Sequence, residues 1–290
     1  MIKIAIIFLQ FMIAMSQEIP QDFIEYEIQK LTFDQGNNWQ HNTIFGPPRN
    51  LDKNYHRDKL TLNGRFGGIL FDSHKGVYGY GHFSFKKYFR GYLYSRIVDN
   101  PDLFSRFSGL ARERDRFGLT SGETDLSGIS FENDWIILKF GRGRESWGAG
   151  NNSQIAVSEK SNAYDYGMID LDFGRLRVRY FHGYLETDSS SINRYITGRG
   201  IEWSNQKNFL FGLSEIVIYS GYKRPIDYSY FNPISTHLEI ELNDRQNEPG
   251  TDSGNGVWQI SFDGMFSKNW RFSFNYLIDE FILDREQKDF

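Results

Sequence analysis

Alternation of polar and apolar residues along several segments is the feature that most constrains how this sequence can fold. It is clearest at residues 175–180, which read Arg-Leu-Arg-Val-Arg-Tyr, and it recurs at residues 136–140, 258–263 and 271–276. Successive side chains of a β-strand point to opposite faces of its sheet. Each of these segments therefore predicts a strand with one apolar and one polar face.

About ten strands are predicted from this pattern, at residues 60–72, 77–98, 127–133, 134–143, 166–173, 175–185, 194–204, 208–219, 256–266 and 270–282. The links between them alternate in length. Long links at residues 99–126, 143–165, 186–193 and 220–255 are separated by turns of a few residues. The apolar stretch 234–242 is predicted as part of the last long link and not as a strand. Short turns at one end and long loops at the other are typical of outer-membrane barrels.

The amino terminus predicts export from the cytoplasm. Lys3 precedes an apolar run from Ile4 to Ala14, and Ala14-Met15-Ser16 forms a small-x-small cleavage pattern before Gln17. No later stretch offers the roughly 18 uncharged apolar residues that a spanning helix needs. Because only helices and closed barrels satisfy every backbone hydrogen bond in hydrocarbon, the mature chain is either a barrel or a soluble exported protein.

Composition favours the barrel. Mean hydropathy is negative at −0.53 although 17% of residues are aromatic, which suits alternating lipid-facing and lumen-facing positions with rings at the interfaces. The absence of cysteine excludes disulfides and thiolate metal sites. A formal net charge of −4 argues against a nucleic-acid-binding protein.

The fold class predicted is thus all-β, an antiparallel up-and-down transmembrane β-barrel in the outer membrane. Residues 1–16 are assigned to the signal peptide, 17–58 to an N-terminal periplasmic or plug segment, and 59–290 to the barrel.

Four stretches resemble the Wzi family of capsule-assembly outer-membrane proteins. The run GRGRESWGAG at residues 141–150 is similar to a GR…WGxG signature. Weaker motifs of the family lie at residues 122–129, at 172–176 with 180–183, and at 212–215 with 219–221 and 231–233. The resemblance covers roughly residues 90–283. It implies a lectin-like barrel that holds capsular or other extracellular polysaccharide at the cell surface, in contact with outer-membrane lipid and without catalytic chemistry or cofactor.

The carboxyl end departs from that family. Barrels of the family are larger, and a segment like residues 277–281 lies mid-chain in them. A closing strand usually ends on an aromatic residue with apolar residues at alternate positions, whereas Asp284, Glu286 and Lys288 precede Phe290 at those positions. We therefore expect the chain to be incomplete at its carboxyl end. The strand at 270–282 is predicted to remain unpaired with that at 60–72, so that the sheet stays open.

Two of the long links combine aromatic rings with planar polar groups, as sugar-binding sites do. The first carries Arg144, Glu145, Trp147, Asn151 and Asn152, and the second carries Tyr222, Arg224, Asp227, Tyr228, Tyr230 and Asn232. The alternative is that the rings form an interfacial girdle and the charges pair across the lumen.

The basic row Arg175, Arg177 and Arg179 is predicted to face the lumen. It could draw in an acidic polymer, but pairing with carboxylates of neighbouring strands or of a plug is the favoured interpretation.

Catalytic signals are weak. The sequence has no G-x-S-x-G, H-E-x-x-H or glycine-rich phosphate motif, and its six histidines are scattered, which leaves a metal site unsupported. His82 and Ser84 share a strand face, which leaves an outer-membrane lipid hydrolase as the third hypothesis. A porin-like channel for small or anionic solutes is the second, after polysaccharide binding.

Overall fold

The computed structural model describes residues 43–45, 60–71, 74–86, 88–103, 107–112, 117–150, 154–158, 160–248, 254–267 and 270–279. The predicted signal peptide lies outside these residues. So does the predicted plug segment, apart from residues 43–45.

One antiparallel sheet of eleven strands contains most of the described chain, and each strand pairs with its neighbours in sequence. The all-β, up-and-down architecture is therefore confirmed. The strands are β1 (Leu60–Phe71), β2 (His74–Phe85), β3 (Phe89–Val98), β4 (Ser121–Glu132), β5 (Ile136–Gly143), β6 (Tyr164–Asp172), β7 (Leu176–Thr187), β8 (Ile192–Ser204), β9 (Phe209–Tyr222), β10 (Gly254–Ser267) and β11 (Trp270–Asp279).

The prediction of a single strand at residues 77–98 is wrong. It is the hairpin β2–β3, which turns at residues 86–88, where Lys86 adopts a left-handed φ of 52°. The extra turn moves the β1–β2 link to the same end as the long loops. The described structure thus has a short-turn end, with links 86–88, 133–135, 173–175, 205–208 and 268–269. The opposite, long-loop end has links 72–73, 99–120, 144–163, 188–191 and 223–253.

Among the described residues, β1 and β11 form the two edges of the sheet and do not pair with each other. The prediction of an open sheet is confirmed for this part of the chain. β4 also starts earlier than predicted, at Ser121, and Arg175 lies in the exposed turn before β7 and not within the strand.

The sheet curves around residues 144–150 and 154–158, which we call the inner loop. Arg144 forms an ion pair with Asp125 of β4, while Ala149 exchanges two hydrogen bonds with Asn275 of β11. Those strands are seven positions apart, about 34 Å in a flat sheet. Five residues span at most about 18 Å, so even with side-chain reach the contacts require curvature. The face that holds the inner loop is concave.

The opposite, outer face exposes an apolar band. On β8 and β9 it occupies the half of the strands nearest the short-turn end, and on β1–β3 it continues to the long-loop end with Leu70, Val77 and Ile97. In register, Ile129 lies beside Phe140, Ile201 beside Leu213, and Trp203 beside Phe211. Large apolar side chains exposed on this face include Leu62, Phe66, Leu93, Ile129, Leu138, Phe140, Ile169, Ile201, Trp203, Phe211, Phe272 and Phe274. The alternation found in the sequence thus separates an exposed apolar face from a polar one.

Helical structure is scarce in the described residues. It consists of α1 (His237–Leu242) and the 3-10 turns Pro101–Leu103 and Tyr228–Phe231. Helix α1 lies in the stretch that was predicted not to form a strand. Within the described chain, none of these helices is long and apolar enough to cross a membrane.

Gly141 of β5 provides the first test, because it faces Gly128 of β4 at very close range. A Cβ atom at position 141 would lie 2.5 Å from the Gly128 Cα atom, a backbone contact that cannot relax by rotamer change. We expect Gly141→Ala to lower the free energy of unfolding of the purified protein by about 1–3 kcal/mol.

Gly167 of β6 is the matched control, because a Cβ there would meet its nearest neighbour at 3.7 Å, an ordinary contact. Urea unfolding of Gly167→Ala should resemble the parent protein. Equal stability of the two variants would contradict the close packing of β4 and β5.

Candidate functional site

A buried carboxylate organises the concave face. Asp170 of β6 is fully buried and accepts hydrogen bonds from both Arg177 and Arg179 of β7, with shortest distances of 2.6 and 2.5 Å. Arg179 also pairs with Glu145 of the inner loop at 3.1 Å. Two guanidinium groups thus share one strand carboxylate and one loop carboxylate. The favoured interpretation of the basic row is confirmed for these two arginines.

Residues 43–45 complete this network from the amino-terminal side. The backbone N–H of Ile44 and the hydroxyl of Thr43 both donate to Glu202 of β8, at 2.6 and 2.8 Å. Arg177 in turn donates to the Thr43 hydroxyl at 2.7 Å. The Phe45 ring packs edge-on against Trp147 with 4.8 Å between centroids. Residues 43–45 and the inner loop therefore form one layer inside the sheet.

Glycine on β8 and β9 makes room for that layer. A Cβ on Gly200 would come within 2.6 Å of the Phe45 ring, and one on Gly212 would overlap the Ile44 side chain. Both positions need the hydrogen of glycine in place of a side chain, because the apolar residues fill the space directly above the strands.

The first predicted sugar-binding cluster lies inside this layer. Trp147 has 0% exposure, its Nε1–H donates to Glu145 at 2.9 Å, and Arg144 and Glu145 are also buried. Asn151 and Asn152 lie outside the described residues. In this structure the described members of the cluster hold the inner loop against the sheet and offer no open surface to a polymer.

Residues 223–248 fold back over the outer face of β7–β10 at the long-loop end, and we call this segment the cover. At its start, Arg224 is completely buried, pairs with Asp227 at 2.9 Å and lies over the Tyr219 ring at 4.8 Å. The Tyr230 ring stacks on the same Tyr219 ring, with 4.6 Å between the two centroids and 8° between their planes. The cover is thus a packed element.

A chain of hydrogen bonds through His182 joins the cover to β7 and β9. The N–H of Asp227 donates to the Tyr219 hydroxyl, which lies 2.7 Å from His182 Nε2. His182 Nδ1 lies 3.1 Å from the Tyr180 hydroxyl, which donates to the carbonyl of Tyr230. Since the Tyr180 phenol gives its one proton to the carbonyl of Tyr230, the complete chain requires a hydrogen on Nδ1 of His182.

Two charged groups of the strands hold the middle of the cover, around residues 232–237. Glu215 of β9 accepts the backbone N–H of His237 and lies 2.7 Å from its Nδ1 atom, while Arg199 of β8 pairs with Glu215 at 3.2 Å. Arg199 also donates to the carbonyl of Asn232 at 3.1 Å. The cover therefore has fixed contacts with the strands near its start and in its middle.

Members of the second predicted cluster separate into two groups. Arg224, Asp227 and Tyr230 are buried inside the cover. Tyr222 and Tyr228 present their rings to the outside, with exposures of 66% and 78%. The Asn232 side chain accepts from the N–H of Ile234 and donates to Ser235, so it shapes a turn. Tyr222 and Tyr228 are the aromatic members that remain accessible to a ligand, and Asn232 is exposed as well.

Sequence reasoning missed the residues that hold the cover, His182, Glu215 and His237 among them. Alternation places His182 and Glu215 on the outer face, but it carries no signal that a later loop covers that face. Tyr180, predicted to face lipid, is buried for the same reason.

His82 and Ser84 both lie on the concave face of β2 and are largely buried. Nowhere in the described part of the chain do three or more His, Cys, Asp or Glu residues come together as a metal site. The chain matches no known protein-family model, no curated protein and no solved structure at a significant level. The Wzi resemblance therefore rests on its motifs.

Asp170 offers a test of the inner layer. Asp170→Asn leaves two buried guanidinium groups short of a counter-charge, and we expect the free energy of unfolding to fall by about 3–5 kcal/mol. The control is Glu186→Gln, which removes an exposed pair with Arg194 and should cost less than about 1 kcal/mol. Urea unfolding of both variants measures the difference, and similar costs would contradict the role of Asp170.

Asp227 makes the cover sensitive to acid. Burial raises the pKa of its carboxyl, but hydrogen bonds from Ser229, Asn247 and Arg224 together outweigh burial and lower it below its ordinary value. A group whose folded pKa is depressed stabilises the fold above its unfolded pKa, and this contribution is lost as pH falls through the folded pKa. We expect the cover to loosen as the pH drops below about 4.

Hydrogen exchange in peptides that contain Ser229 and Asn247, corrected for intrinsic rates, measures this loosening. Asp227→Asn should exchange faster at neutral pH and lose the acid dependence. Unchanged protection of the parent protein at pH values near 3 would count against the assignment.

Proposed function

We propose that this protein is an outer-membrane β-sheet protein that binds capsular or other extracellular polysaccharide at the cell surface, as its resemblance to the Wzi family implies. The observation that carries the proposal is that two tyrosine rings, Tyr222 at the end of β9 and Tyr228 in the cover, are exposed to solvent. They lie at the end of the sheet where the long loops are.

The outer face supports a membrane location. Its exposed apolar band, with Trp203 and Phe211 on neighbouring strands, is the surface expected toward lipid. The cover lies on the same face nearer the long-loop end, where its buried ion pairs would be outside the hydrocarbon. On this arrangement Tyr222 and Tyr228 face the extracellular side.

The filled concave face favours binding over conduction. Residues 43–45 and the inner loop contact β4 and every strand from β6 to β11 through side chains or backbone, among them Asp125, Gln259 and Asn275. A porin-like channel needs a water-filled passage along this face. In the described structure residues 43–45 and the inner loop occupy that space. Asp170 and Glu145 neutralise the arginines there.

Flat rings on a firmly held support suit a polysaccharide, because sugar C–H faces stack on aromatic surfaces and little ordering is required on binding. The Arg224–Asp227 pair lies between Tyr222 and Tyr228 in sequence and holds the backbone there. Lys223 lies 5.2 Å from the Tyr222 centroid and adds a cation for acidic sugars.

The test is binding of purified bacterial capsular and extracellular polysaccharides to the detergent-solubilised protein, measured by calorimetry. Tyr222→Ala and Tyr228→Ala should each weaken binding by about tenfold, the effect of losing roughly 1–2 kcal/mol of ring stacking. Phe173→Ala, which removes an exposed ring from the short-turn end, should leave binding unchanged.

Planar-bilayer recordings separate the channel hypothesis from this one. We expect little conductance from the parent protein. Steady conductance together with no binding to any polysaccharide of the panel would favour the porin-like function over ours.

A further inference from the structure

The part of the cover nearest the short-turn end carries no charge and exposes apolar groups. Residues 228–236 read Tyr-Ser-Tyr-Phe-Asn-Pro-Ile-Ser-Thr, and Ile234 has an exposure of 86%. We call residues 231–236 the tip. Phe231, at 43%, is also exposed, although its ring packs on His182. Such a surface is unusual for a loop that faces only water.

The tip has a fixed height on the sheet. Arg199 holds the carbonyl of Asn232, and Glu215 holds the N–H of His237. Arg199 and Glu215 are register partners, and the next outward-facing pair toward the short-turn end is Ile201 and Leu213 of the apolar band. The tip therefore lies directly at the upper edge of that band.

Local hydrogen bonds shape the tip before it meets any partner. Asn232 accepts from the N–H of Ile234 and donates to Ser235, and the Thr236 hydroxyl accepts from Glu239 at the start of α1. These bonds use the polar groups within the turn. Ile234 is left as its outermost large side chain.

We propose that the tip inserts into the surface of the lipid bilayer and sets the depth at which the cover stands above it. This inference rests on the proposed membrane location. Continuity with the apolar band identifies lipid as the partner, and the aromatic, proline and isoleucine content of an uncharged turn suits the boundary between head groups and acyl chains. The rings of Tyr222 and Tyr228 would then be held at a fixed distance from the membrane.

The chain has no native cysteine, so single-cysteine variants can carry a nitroxide label without background. The experiment compares Ile234→Cys with three references in protein reconstituted into phosphatidylcholine and phosphatidylglycerol vesicles. Ile201→Cys reports the apolar band, Leu242→Cys reports an equally apolar exposed position at the far end of α1, and Lys207→Cys reports the short-turn end. Collision rates with oxygen and with a water-soluble nickel chelate give the depth of each label.

We expect the label at position 234 to collide with oxygen in preference to the nickel chelate, as at position 201, and the labels at 242 and 207 to show the reverse. Preference for the chelate at 234 while 201 remains lipid-exposed would overturn the tip proposal alone. Preference for the chelate at 201 would overturn the membrane location itself, and the tip proposal with it.

Discussion

The two arginines that share Asp170 are the interaction on which the inside of this protein depends. A buried guanidinium group without a counter-charge is very unfavourable, so Arg177 and Arg179 require carboxylates from elsewhere in the fold. Asp170 supplies one within the sheet, and Glu145 supplies another from the inner loop. Glu202, across from Arg177 in register, holds the backbone of residues 43–45. Charge balance therefore determines which segments enter the concave face.

The outer face is divided along its length by a different principle. On β7–β9 the outward side chains near the short-turn end are apolar, whereas near the long-loop end these strands carry Arg199, Glu215 and His182 beneath the cover. One strand thus alternates in the usual way while its outer positions change from apolar to polar. A polar outer position is stable only because the cover supplies its partners.

Most strands could be predicted from the sequence because alternation and turn length act locally. The β2–β3 hairpin could not, because Lys86 takes a left-handed conformation where no glycine or asparagine marks the turn. Tyr222, Tyr228 and Trp147 were predicted as sugar-binding candidates on the same grounds, but only the two tyrosines are exposed and Trp147 is buried. Alternation indicates which way a side chain points and not what lies over it, so contacts made by the inner loop and the cover were beyond prediction.

The packing of Ile44 and Phe45 against Gly212 and Gly200 has a consequence for the order of folding. The hydrogen bond between Thr43 and Glu202 joins residues 159 positions apart. The surface formed by Gly200 and Gly212 does not exist until β8 and β9 have paired. Closing so long a loop is entropically costly before the sheet has formed. The earliest described residues of the chain are therefore among the last to reach their native positions, and the nascent sheet must carry an incompletely covered concave face until they arrive.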